Sequence, residues 1–153
     1  MATFPWGTPS SLTSYLSSSL NSLAASTTDL GGEIDNGTTK ATYMDLLLNL
    51  ASLDLSAASN PAVDVYLIPA VDGTNYDTAD DAVSADASVP PADQLLTRIG
   101  LRKGTAAEAK RESKVALVIP PCKFKLLIRN MTGVAFASSG NTLQYRTYTM
   151  ASA

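Results

Sequence analysis

The sequence predicts an all-β fold, an antiparallel β-sandwich or jelly roll of about seven or eight strands behind an extended N-terminal arm. Three observations carry this. From residue 41 onward apolar residues recur with a period of two, turn-forming residues return every ~8–15 positions, and no stretch sustains a helical period.

Residues 1–28 are poor in charge and rich in Ser and Thr, with Phe4, Pro5 and Trp6 as the bulky group near the start. Leu12, Leu16, Leu20 and Leu23 stand at helical spacing. The Ser and Thr between them bond readily to their own backbone and disfavour a helix, so the expectation is an extended arm with at most one short helical turn. Aromatic anchors such as Phe4 and Trp6 on a polar arm suit docking on a partner. The competing reading folds Trp6 back onto its own domain.

A first strand is expected around residues 30–35. Met44, Leu46, Leu48 and Leu50 then fall on one face, with Asp45 and Asn49 on the other, which makes a strand with one buried side. Asn60-Pro61 marks a turn, and Val63, Val65 and Leu67 alternate with Asp64 and Tyr66 in the next strand. Residues 72–93 have no periodicity and form an acidic loop of about twenty residues, well beyond the usual ~4–6. Residues 95–102 resume as a strand, residues 103–112 read as a polar connection, and residues 114–119 form a short strand stopped by Pro120-Pro121. Phe124, Leu126 and Ile128 alternate with Lys123, Lys125 and Arg129 in the clearest amphipathic strand of the chain. A turn at residues 130–133, a pairing segment at 134–137, a second turn at 138–141 and a last strand at 143–149 complete the series. The domain reading is an arm at 1–28 and one sandwich at 29–153.

The 153 residues suit one domain with a core of its own. Charged residues are 16% of the chain, below the ~25% of ordinary soluble domains, and a surface of small uncharged residues packs on neighbours with little ion desolvation. The net charge of −3 conceals a division. Residues 1–93 carry twelve acids against Lys40, a net −11, and residues 94–153 carry ten bases against Glu108 and Glu112, a net +8. The halves either pair within the domain or present opposed faces that favour contacts between copies. No window approaches the ~18 apolar residues of a membrane span, and the first residues lack the basic and apolar regions of an export signal. The expectation is assembly in a cytoplasm, with no membrane partner.

The absence of histidine removes the commonest general base, the triads built on it and most catalytic zinc sites. Cys122 is the only cysteine and reads as a small apolar residue at a strand start. Asp72, Asp77, Asp80, Asp81 and Asp86 could supply a carboxylate pair, but a catalytic pair needs rigid placement and one desolvated member. Asp72, Asn75 and Asp77 fail the spacing of a calcium loop and lack its terminal Glu. The expectation is therefore no enzyme, no cofactor and no metal. Lys123, Lys125 and Arg129 form a basic stripe, with Arg98, Arg102 and Lys103 as candidate neighbours. Nucleic-acid binding would want aromatics on that exposed face, and Phe124 alternates away from it, so protein contacts are expected there and no nucleic acid. Asn36-Gly37-Thr38 and Asn130-Met131-Thr132 match the glycosylation tripeptide and read as chance matches.

Phe4-Pro5-Trp6-Gly7, Ile34-Asp35-Asn36-Gly37-Thr38, Pro120-Pro121-Cys122-Lys123-Phe124-Lys125, Asn130-Met131-Thr132-Gly133 and residues 140–148 together resemble small virion structural proteins of tailed bacteriophages, among them jelly-roll capsid cement or decoration proteins. The resemblance is strongest over residues 29–71 and 114–149 and leaves out the acidic loop. It implies a homo-oligomeric cement protein on the capsid outer surface that binds the major capsid protein and stabilises the assembled shell. Phe4, Trp6, Lys123, Lys125 and Arg129 are the expected contact residues. The alternative is a tail, neck or fibre module that binds host carbohydrate, with Tyr66, Tyr76, Tyr145 and Tyr148 as candidate sugar platforms.

Overall fold

The computed structural model describes residues 6–77 and 90–150. Its strands are β1 (Thr13–Leu16), β2 (Thr28–Leu30), β3 (Ile34–Asp35), β4 (Tyr43–Leu53), β5 (Ala62–Ala70), β6 (Leu95–Gly100), β7 (Glu108–Val118), β8 (Lys123–Met131) and β9 (Thr142–Tyr148). One sheet runs β1-β9-β4-β7, the other runs β2-β8-β5-β6, and β3 also pairs with β8. The strand pairs are antiparallel. Early strands thus lie beside late ones in both sheets, the strand order of a jelly roll. The fold is the all-β sandwich that the alternation predicts.

The core lies between the sheets and follows from that alternation. Met44, Leu46, Leu48 and Leu50 of β4 face Val63 and Val65 of β5 and Phe124, Leu126 and Ile128 of β8, all buried. A smaller apolar cluster lies on the outer side of the second sheet, where Leu30 and Tyr76 pack on Tyr66, Ile68 and Leu127.

The strand expected at residues 30–35 is two short strands with a gap between them. β2 pairs with residues 127–129 of β8 and β3 with residues 123–124, leaving Leu126 opposite Gly31-Gly32. Gly31 N donates to Leu126 O at 3.0 Å. The Leu126 N–H instead donates to the Tyr15 hydroxyl at 2.8 Å, and that hydroxyl donates to Gly32 O at 2.6 Å. A phenol from the opposite sheet therefore completes the ladder. Tyr15 reaches it from a bulge in β1, where the pairing with β9 shifts between Ser14 and Leu16. Its ring sits so close over Gly31 that a Cβ there would overlap the ring carbons.

The structure corrects several expectations. Residues 6–28 do not stand off as an arm. Leu16, Leu20 and Leu23 are core residues, β1 belongs to the first sheet, and Ser18–Leu20 is a single 3₁₀ turn. Asn130 holds residues 23–24 down, its amide donating to Leu23 O at 2.9 Å and Ala24 O at 3.2 Å. Residues 108–112, read as connection, belong to β7. They lie on a sheet edge with charged residues on both faces, so apolar alternation never arises. Residues 134–137 do pair with a neighbour as expected, without forming a strand: Phe136 N–H donates to Leu23 O, Ser22 N–H donates to Ala137 O, and Phe136 is buried. A four-residue helix, α1 (Asn36–Thr39), was not expected from its Asn-Gly-Thr-Thr sequence; Asp35 caps it through Gly37 N and Thr38 N. Of the acidic loop, residues 78–89, including Asp80, Asp81 and Asp86, lie outside the described residues.

Tyr15→Phe removes the hydroxyl and leaves Leu126 N–H and Gly32 C=O without that partner, a loss of about 1–3 kcal/mol in denaturant unfolding. Gly31→Ala is expected to destabilise at least as much, because the Tyr15 ring must move. Burial pushes the Tyr15 phenol well above its ordinary value, and the Leu126 N–H only partly offsets it. A raised acid keeps its stabilisation while both states are protonated and loses it once the unfolded chain ionises. Thermal midpoints should therefore hold up to about pH 10 and fall above it, and Tyr15→Phe should flatten that fall.

Candidate functional site

The surface best placed to meet a partner is the outer face of the first sheet at its β4–β9–β7 end. Alternation that sends Met44 and Leu143 inward sends Tyr43, Asp45, Arg146 and Tyr148 outward. Tyr43 and Tyr148 lie opposite each other and stack with centroids 5.6 Å apart. Trp6 meets both edge-on, at 5.4 and 5.6 Å. The backbone holds it there: Gly7 N donates to Thr149 O at 2.8 Å, and Trp6 forms a bridge with Met150. Trp6 thus folds back onto its own domain and still leaves 60% of its surface exposed. Val118, across β4 from Tyr148, is 68% exposed and Val115 is 66% exposed. Phe4 lies outside the described residues.

One carboxylate organises this face. Asp45 accepts from Arg146 Nε at 2.8 Å, Tyr148 Oη at 3.0 Å and the Ala116 N–H at 2.9 Å. The last bond is available because β7 bulges opposite Asp45, with Ala116 at a φ of +56°. Burial opposes ionisation of Asp45, but these three donors outweigh it and hold the carboxyl below its ordinary range. A groove of about 360 Å³ opens beside the pair, lined by Trp6, Pro9, Val115 and Tyr148.

The basic stripe lies on the opposite outer face and is largely engaged within the domain. Lys123 Nζ is 3.0 Å from the Glu33 carboxylate. Lys125 Nζ sits 4.2 Å above the Tyr76 ring centre, and the Tyr76 hydroxyl donates to Glu33. Arg129 lies between Thr28 and Asp64 in the cross-strand register, and its Nε has no hydrogen-bond partner among the described residues. Asp64 is bound by Arg98 through two bonds of 2.6 and 2.8 Å. Arg102 and Lys103 are exposed just beyond β6. Trp6 and the stripe therefore cannot belong to one contact patch.

Sequence reasoning named Trp6 and Tyr148 but missed Tyr43, Val115 and Val118. For Tyr43 the signal was present, since the period that buries Met44 exposes its neighbour. For Val115 and Val118 the bulge shifts the phase and hides it. Of the other tyrosines considered as sugar platforms, Tyr66 is buried, Tyr76 covers the outer cluster, and Tyr145 packs edge-on against Tyr15.

Elsewhere polar groups serve the fold. Asp72 accepts from Thr74 N, Asn75 N and Asn75 Nδ2 at 2.7–2.8 Å, which closes its own turn. Its carboxyl is lowered chiefly by the Asn75 N–H. Burial raises the Cys122 thiol, which disfavours the reactive thiolate. Among the described residues no three acidic or cysteine side chains gather as a metal site, and no helix is long and apolar enough to cross a membrane. Asn36 and Asn130 of the glycosylation-like tripeptides are both buried with hydrogen-bonded amides. Comparison with protein-family models, curated proteins and solved structures finds no match.

Asp45→Ala strips three donors of their shared acceptor and should cost about 1–3 kcal/mol in chemical unfolding. A carboxyl lowered in the folded state contributes stability above its unfolded value, near 3.9, and loses it as the pH falls through the folded value. The gap between wild type and Asp45→Ala should therefore be full at pH 6 and close below about pH 4, as read by thermal melts.

Proposed function

We propose that this protein is a structural docking module that binds other protein subunits through the outer face of its β1-β9-β4-β7 sheet. The observation that carries this is the exposed apolar cluster of Trp6, Val115 and Val118 beside Tyr43 and Tyr148. Aromatic rings flanked by exposed aliphatic side chains suit a protein surface, because burying them on association releases water from apolar area. The setting we infer is a bacteriophage virion, with the protein acting as a capsid cement or decoration protein on the outer surface of the major-capsid-protein shell. The jelly-roll fold, the low charge and the sequence resemblance support this reading. A protein that binds only the assembled shell stabilises it by mass action.

A second reading has one observation in its favour. An exposed indole next to the Asp45–Arg146 pair could stack on a sugar ring while the pair bonds its hydroxyls. A tail or fibre module binding host carbohydrate would use the same face, and the aliphatic Val115 and Val118 weigh against it.

Trp6→Ala should lower the unfolding free energy by no more than about 1–2 kcal/mol, since the side chain is 60% exposed and what is lost within the domain is its two edge-on ring contacts. It should reduce occupancy on purified particles by roughly tenfold or more, as expected for an aromatic anchor. Copy number per particle tests the setting. Hundreds of copies support a shell protein, and a dozen or fewer place it on tail or neck. Absence from particles together with a glycan-array signal lost in Trp6→Ala would transfer the face to carbohydrate.

A further inference from the structure

β7 ends the first sheet, and among the described residues no strand pairs with its outer edge. It is 11 residues long, whereas β1, β2, β3 and β6, the other edge strands, have 4, 3, 2 and 6. Such an edge presents a row of backbone donors and acceptors that fits another β-strand. Its side chains decide which strand.

Lys110, Glu112 and Lys114 lie opposite Leu50, Leu48 and Leu46, and so share the core-facing side of the sheet. Arg111 and Ser113 lie opposite Asn49 and Leu47 on the outer side. Inward charges on an edge deter apolar strands. These, however, alternate in sign. An antiparallel pairing between two copies that keeps both core-facing sides together must be centred on a residue, because directly opposed residues share a face. Centring on Lys110, Glu112 or Lys114 sets that charge against itself. Centring on Arg111 does the same with two guanidinium groups. Ser113 is the centre between Lys110 and Lys114 that opposes no like charges. There Glu112 meets Lys114 twice, and the aliphatic stem of Arg111 covers Val115, which is 66% exposed.

We propose that the partner of the β7 edge is the β7 edge of a second copy, in antiparallel register centred on Ser113. The pairing joins the two β1-β9-β4-β7 sheets into one continuous sheet across a twofold axis. The bulge at Val115 and Ala116 ends it on either side, so the register cannot slide toward Val118. The inference goes beyond the docking role and stands whether or not the larger assembly is a virion. Of the docking cluster only Val115 enters this pairing; Trp6, Tyr43, Tyr148 and Val118 lie beyond that bulge and stay open to a different partner.

Sedimentation of the full chain over a dilution series tests this. Wild type should be a dimer, and Lys114→Glu, which opposes two carboxylates on each side of the axis, should raise the dissociation constant at least about tenfold. The exchange Glu112→Lys with Lys114→Glu should restore the dimer. Ser113→Cys on a Cys122→Ser background should cross-link to itself under oxidised glutathione, because opposed Cα atoms in such a pair are about 4.5–5.5 Å apart. Arg111→Cys, opposite Val115, should not. A monomeric wild type, or undiminished dimer in Lys114→Glu, would overturn the proposal. Should Lys114→Glu fail to fold by circular dichroism, the cysteine pair decides: equal cross-linking at both positions, or none at Ser113→Cys, overturns it.

Discussion

A single phenol oxygen ties the two layers of this sandwich together by direction as well as by burial. Apolar packing between sheets is non-directional and tolerates small slides. The Tyr15 hydroxyl does not, since it takes the Leu126 N–H and gives to Gly32 C=O across the gap between β2 and β3. Three local features must coincide for this bond: the β1 bulge that turns Tyr15 inward, the missing Cβ at Gly31, and the break in the β2–β3 ladder. Each alone would look like a defect. Together they set how β1 and β9 lie over β8.

The same strand order explains the fate of the uneven charge. Jelly-roll winding puts β4 beside β9 and β5 beside β6 and β8, so strands from the acidic half border strands from the basic half. Asp45 meets Arg146, Asp64 meets Arg98 and Glu33 meets Lys123. Part of the charge that looks polarised along the chain is thus paired within the domain, these pairs joining three of the twelve acids of the first half to three of the ten bases of the second.

The inner face of the fold was readable because its signal is local: every second residue from Met44 to Leu50 and from Phe124 to Ile128 is apolar, with Leu47 and Leu127 as the apolar exceptions between them. What was not readable depends on partners far along the chain. Nothing near Ser14-Tyr15-Leu16 announces a bulge, and the long-range bonds of Asn130 to Leu23 and Ala24 turn an apparent arm into core. The β7 edge failed for another reason. Its inner side carries Lys110, Glu112 and Lys114, with Lys110 buried against Glu108, so a period-two hydrophobic test finds nothing there. The aromatic face was half legible, Trp6 and Tyr148 from composition and Tyr43 only through its buried neighbour, while the stripe of Lys123, Lys125 and Arg129 was legible as a pattern without the contacts of Lys123 to Glu33 and of Lys125 to Tyr76.

The buried Asn36 also bears on how the folded chain ages. Asn-Gly is the dipeptide most prone to deamidation, because an unhindered glycine nitrogen can attack the side-chain carbonyl and close a succinimide. Here Asn36 Oδ1 accepts from Ala41 N and Thr39 Oγ1, its Nδ2 donates to Ala41 O and Pro120 O, and Gly37 N is committed to Asp35. Neither the carbonyl nor the nitrogen is free to swing toward the other. The turn that carries the chain from β3 into β4 is therefore shielded from this chemistry for as long as it stays folded.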